Sequence, residues 1–164
     1  MNLMTLVLAA ILAVLQTTWF SPLKLWGAFP DLVLVVLSYR AHLLGVQRAQ
    51  IGGFIVGIVE DALSVSPIGF FAVVRSVHSA VLGFTKDAVR ADNVVTPIVL
   101  IAVAYVVKTF GIVLVAAVIG LTELHPLVFS AETAVEFGLT AFVAPFMFAV
   151  LNRVRKRISE RARL

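Results

Sequence analysis

Residues 51–75 read IGGFIVGIVEDALSVSPIGFFAVVR, and this stretch decides what kind of molecule the chain makes. Gly53, Gly57 and Asp61 recur every four residues, which places them on one face of an α-helix over Ile51–Ser64. Ser66, Pro67 and Gly69 break the chain, and a second apolar helix is predicted from Ile68 to Phe84. On that helix Arg75, Ser79 and Gly83 repeat the four-residue spacing. Small residues at this spacing let two helix backbones approach closely in lipid. Glu60, Asp61 and Arg75 are embedded in apolar surroundings, where a charge is costly unless it pairs, snorkels or lines a cavity.

The rest of the 164-residue chain has the same character. It is 61% hydrophobic and 13% charged, with a mean hydropathy of +1.06. Soluble domains carry about 25% charged residues. The composition excludes a water-soluble enzyme, a disordered tail and a nucleic-acid-binding domain. Without cysteine there is no disulfide, thiolate metal site or cysteine nucleophile.

A crossing helix needs about 20 apolar residues. Besides the two helices above, spans are predicted over Leu3–Phe20, Asp31–Leu44, Val94–Leu121 and Glu132–Leu151. The first has no basic leader or cleavage site and runs into Trp19, Phe20 and Trp26, an interfacial belt, so it reads as an uncleaved span. Ser21–Pro30, Gly45–Gln50, Lys86–Asn93 and Thr122–Ala131 are the links, the last with room for a re-entrant or interfacial piece. The expected architecture is an all-α integral membrane protein. One transmembrane domain occupies 1–151, and a basic cytoplasmic tail occupies 152–164. If two of the short second to fourth spans form a re-entrant hairpin, six crossings become four with the same end orientation.

Nine cations fall on one side of this arrangement: Arg48, Lys86, Arg90 and, in the tail, Arg153, Arg155, Lys156, Arg157, Arg161 and Arg163. Lys24 alone falls on the other. The positive-inside rule then puts both termini in the cytoplasm. The high pI describes a tail facing anionic lipid. Under this topology Glu60, Asp61, Arg75, Glu132 and Glu136 lie at similar depth in the outer half, which suggests one cluster. Either it is an ion-paired network holding helices together or it is a polar pocket open to the outer face. The lack of any other acid–base signal favours the network. Asp61 is the expected partner of Arg75, with Glu60 and Glu136 as alternatives. Arg40, near an inner end, can snorkel, whereas Lys108 lies mid-span and cannot do so easily.

No catalytic constellation appears. His42, His78 and His125 lack metal-ligand spacing, and no phosphate loop, G-x-S-x-G or H-E-x-x-H occurs. Neither a metal nor a cofactor is expected.

Pro30-Asp31-Leu32-Val33-Leu34, then Gly53-Phe54-x-x-Gly57-x-x-x-Asp61, then Ser66-Pro67-Ile68-Gly69, and finally Pro145-Phe146 before Arg153-x-Arg155-Lys156, resemble the MreD family of bacterial rod-shape-determining membrane proteins. Arg40 and His42 depart from the pattern, which has apolar or aromatic residues there. The resemblance implies a non-enzymatic protein of the bacterial inner membrane. It would associate with a single-span MreC-like partner in the assembly that joins MreB, RodA and a class B penicillin-binding protein for peptidoglycan synthesis. It also implies a fold similar to the substrate-binding subunits of energy-coupling-factor transporters. Pro30, Asp31, Gly53, Gly57, Asp61, Gly69 and Arg75 are then the structural and packing candidates. Three function classes stand: a scaffold for a membrane partner, a solute-binding transporter subunit, and an intramembrane enzyme. The missing nucleophile and metal sites argue against the last.

Overall fold

Pro30 and Asp31 start the helix around which the others are arranged. The Asp31 carboxylate accepts the Leu34 N–H at 2.8 Å and caps α2, Leu32–Leu44. Ten consecutive residues of α2, Val33–His42, are buried, so it is a central helix with no lipid-facing stripe. A helix that is apolar all round must be surrounded by protein or lipid. Here it is protein. The computed structural model describes residues 2–18, 27–86, 94–120 and 130–161. Around α2 stand α1 (Asn2–Thr18), α3 (Val46–Leu63), α4 (Phe70–Gly83), α5 (Val95–Val118) and α6 (Ala131–Arg161), and a short 3-10 turn, Phe84–Lys86, follows α4.

The link expected over Gly45–Gln50 is a single residue. Gly45 ends α2 and begins α3, with φ at +80°, a backbone conformation that side chains with a Cβ rarely adopt. Val46, Gln47, Arg48, Ala49 and Gln50 are already helical, because nothing in their sequence stops a helix once Gly45 has turned the chain. Gly69, at φ +100°, starts α4 in the same way. The basic segment after Leu151 is a continuation of α6 as far as Arg161. Lys, Arg and Glu are good helix formers, and neither Gly nor Pro follows Pro145 to end the helix.

The glycine spacing fixes how α3 meets α4. A Cβ on Gly53 would collide with the Arg75 carbonyl and Ser79 Oγ, and one on Gly57 would lie 2.5 Å from Ala72 Cα. At the far end a Cβ on Gly83 would sit 2.5 Å from Val46 Cα. The apolar core joins Ala9 and Ala13 of α1, Val33, Val35, Val36 and Leu37 of α2, Leu100 and Ile101 of α5, and Ala144, Phe148 and Leu151 of α6.

Two helices, Val95–Val118 and the Ala131–Arg157 stretch of α6, are long and apolar enough to cross a membrane. The 13 residues of α2 cover only about 20 Å at roughly 1.5 Å per residue, against a hydrocarbon core of about 30 Å. Trp19, Phe20, Lys24, Trp26, Arg90, His125 and Arg163 lie outside the described residues, as does most of the Thr122–Ala131 link.

Candidate functional site: a buried ion-pair core

The start of α2, the end of α3, the first turns of α4, the second half of α5 and the start of α6 converge on one polar cluster. Arg75 is its centre. Its Nε donates to Glu60 Oε2 and its Nη2 to Glu60 Oε1, both at 2.7 Å, a two-point fork that matches the planar guanidinium to the carboxylate. The remaining edge faces Asp31, with Nη1 and Nη2 each 3.2 Å from Oδ2. Asp31 Oδ2 also accepts from Lys108 Nζ at 2.8 Å, and Lys108 reaches on to Glu136 Oε1 at 2.6 Å. Three carboxylates and two cations thus alternate across five helices. The side chains of Arg75, Asp31, Glu60 and Lys108 are 5–14% exposed, and that of Glu136 is 28% exposed.

Neutral groups complete the shell. The Asp31 N–H donates to Thr140 Oγ1 at 2.9 Å, and Thr140 donates to the Glu136 carbonyl at 2.6 Å. Gln16, near the end of α1, donates to the Pro30 carbonyl at 2.8 Å and accepts the Val33 N–H at 3.2 Å. Every element from α1 to α6 therefore has a polar tie near the start of α2.

Asp61 does something other than the expected pairing with Arg75. Its carboxylate accepts the backbone N–H groups of Gly69 at 2.9 Å, Phe71 at 2.7 Å and Ala72 at 3.1 Å, and so caps α4 from a neighbouring helix. The reason is rotational. Adjacent helix residues point about 100° apart, so Glu60 and Asp61 cannot both face Arg75. Asp61 continues the Gly53–Gly57 face, which lies against the backbone of α4, while Glu60 turns inward. An acidic side chain suits the positive end of a helix, whose first N–H groups lack partners.

Glu132 also departs from expectation. It lies one turn before Glu136, is exposed beside Gly27, and takes no part in an ion pair among the described residues. Gly53, Gly57 and Gly69 sit at the α3–α4 contact, and Pro30 and Asp31 at the hub. Arg40 and His42 are buried and turned inward. Gly52 lies against the Arg40 guanidinium, and His42 Nδ1 is 3.2 Å from Thr85 Oγ1. Gly52 leaves room for the Arg40 side chain, and Thr85 gives His42 a polar neighbour. His78 is fully buried with Nε2 3.3 Å from Ser38 Oγ. Ser38 Oγ in turn donates to the Leu34 carbonyl at 2.6 Å. No His, Asp and Glu group suited to a metal occurs among the described residues.

A family model for the rod shape-determining protein MreD matches residues 1–154. The chain belongs to the MreD family. No curated protein and no solved structure matches it. Family membership brings a role in rod-shape determination, in a family described by cell shape and not by an enzymatic activity. This MreD-family chain keeps charges inside an apolar bundle, and the network around Arg75 and Lys108 pairs them there.

Proposed function

We propose that this MreD-family chain is a non-enzymatic, multi-pass scaffold in the bacterial cytoplasmic membrane. In this reading it crosses six times, keeps both termini in the cytoplasm, and binds an MreC-like single-span protein. Through that partner it supports the MreB, RodA and class B penicillin-binding protein assembly and hence peptidoglycan synthesis. The observation that carries the reading is the closure of the polar core. Asp31, Glu60, Arg75 and Lys108 are engaged with one another and bind helices together, which favours a structural role over solute capture. A substrate-binding subunit like those of energy-coupling-factor transporters would keep such groups facing an open cavity. The exposed apolar faces of α5 and α6, with Val106, Phe110, Phe142 and Phe146 outward, are surfaces on which a partner helix can pack.

The test has two parts. Reporter fusions at Gly27, Lys86 and the C-terminus should read outside, inside and inside, and a periplasmic signal from the tail would sink the topology. Co-expression with an MreC-like protein should give a complex that survives detergent purification. A small solute that co-purifies with the chain, with no partner retained, would favour the transporter-subunit reading instead.

A further inference from the structure

We propose that the groove between α5 and α6 seats one transmembrane helix of the single-span partner, and that a lysine or arginine on that helix pairs with Glu136. The inference rests on the scaffold reading above and adds a place and a charge to it. The groove has a volume of about 400 Å³ and is lined by Ala102, Tyr105, Val106, Thr109, Phe110 and Phe137. Its walls are apolar, and Ala102 and Thr109 are small enough for a second backbone to come close, as helix association in lipid requires.

The groove borders the ion-pair core. Tyr105 forms its wall and carries Lys108 over its ring, with Nζ 5.1 Å from the centroid, and Phe137 follows Glu136 on α6. Phe137 and Tyr105 pack edge to face at 5.2 Å and join α5 to α6 along this wall. Among the described residues the core holds three carboxylates, Asp31, Glu60 and Glu136, against two cations, Arg75 and Lys108. Asp61 stands apart, satisfied by three backbone N–H groups. By formal charge these described residues carry one negative charge in excess, and an unmatched charge is costly in lipid. Glu136 is the most accessible of the three acids: its side chain is 28% exposed, whereas those of Asp31 and Glu60 are 7% and 11% exposed. A partner cation at the depth of Glu136 would balance the core and fix the height of the partner helix, while the groove supplies the packing.

The test uses the full chain co-expressed with a full-length MreC-like protein whose transmembrane helix has a lysine or arginine in its outer half. A photo-reactive phenylalanine analogue is placed at Val106 or, on the α3 face, at Ile58. Cross-links should form from Val106 and not from Ile58. Glu136→Gln should lower partner retention by about tenfold, the range of an interhelical polar contact. Glu136→Lys combined with a lysine-to-glutamate change in the partner should restore it. Should Glu136→Gln fail to fold, Ala102→Phe fills the groove without touching the ion pairs and should abolish retention by itself. Cross-linking from Ile58 with normal retention would overturn this site and leave the scaffold reading standing. Full retention by folded Glu136→Gln would overturn it too. So would an equal loss in Lys24→Gln, because the charge would then be matched within the chain. If the wild-type chain retains no partner, the scaffold reading itself fails.

Discussion

Asp31 and Arg75 are 44 residues apart in sequence, yet the Arg75 guanidinium lies 3.2 Å from Asp31 Oδ2 through both Nη1 and Nη2. Asp31 performs two tasks at once. Oδ1 caps α2 through Leu34, and Oδ2 receives Arg75 and Lys108. The end of the central helix is therefore also the electrical hub of the bundle.

The two tasks of Asp31 separate by substitution. Asparagine is a good helix cap, so Asp31→Asn should retain most of the cap and lose the charge. Stranding one side of a buried ion pair costs about 3–5 kcal/mol. Asp31→Ala loses the cap as well, which adds about 1 kcal/mol. Thermal unfolding in detergent, followed by size-exclusion fluorescence, should rank wild type above Asp31→Asn and Asp31→Asn above Asp31→Ala. Equal stability of wild type and Asp31→Asn would show that the hub does not need its charge.

Neighbouring acids should behave differently. Glu60→Gln removes the two-point partner of Arg75 and should lower folded yield by the 3–5 kcal/mol typical of a broken buried pair. Asp61→Asn keeps an acceptor at the start of α4 and should cost about 0.5–2 kcal/mol, in the range of a helix cap. A Glu60→Arg, Arg75→Glu exchange should recover part of the loss, whereas Asp61→Arg with Arg75→Asp should not. Rescue by the second exchange and not the first would reverse the assignment of partners.

Lys108 joins α5 to α2 and α6 through Asp31 and Glu136. Lys108→Met should destabilise the chain strongly, since two carboxylates lose their cation. Adding Glu136→Gln should give back part of that loss, because the pair act in one network and their effects are not additive. A double mutant that is the sum of the two single mutants would show that the Lys108–Glu136 contact contributes little.

Gly53→Leu and Gly57→Leu should insert into the membrane normally, since leucine is as apolar as lipid. They should still fail to fold, because each side chain would overlap the backbone of α4. The expected outcome is normal total membrane protein with a collapsed monodisperse fraction after detergent extraction. Normal extraction of both would mean that α3 and α4 are further apart than these contacts require.

Periodic features of this chain were legible. The Gly53–Gly57–Asp61 repeat marks the face that meets α4, and the apolar runs mark the helices, although α3 starts five residues before its apolar run and α6 continues ten residues past Leu151. Pairings were less legible, since spacing says which residues share a face and not which faces turn inward. Glu60 and Asp61 are adjacent, and only their rotation about α3 decides that one holds Arg75 and the other caps α4. Lys108 was noticeable as a mid-span cation, but its partners lie 77 and 28 residues away. Gln16, which ties α1 to the start of α2, carries no charge and left no signal, whereas Thr140 shares the four-residue spacing of Glu132 and Glu136 on one face of α6. The single-residue joint at Gly45 was hidden because Gln47, Arg48 and Gln50 are as polar as a loop while remaining helical.

The order in which the charged residues leave the ribosome follows from the same core. Asp31 and Glu60 are synthesised before Arg75, and Lys108 and Glu136 come later still. During synthesis Asp31 and Glu60 therefore precede the cations that pair with them, and Glu136 alone follows its cation, Lys108. A nascent chain ending after α3 carries two inward-facing carboxylates with neither of the cations that later hold them. Because Gly45 leaves no slack between α2 and α3, those two helices arrive together as a hairpin with both acids at its open end. Arrival of α4 neutralises Glu60, and only the arrival of α5 completes the hub at Asp31. The early half of this protein thus carries two acids whose cations come only with its later half, and an acid left without its cation is costly in lipid.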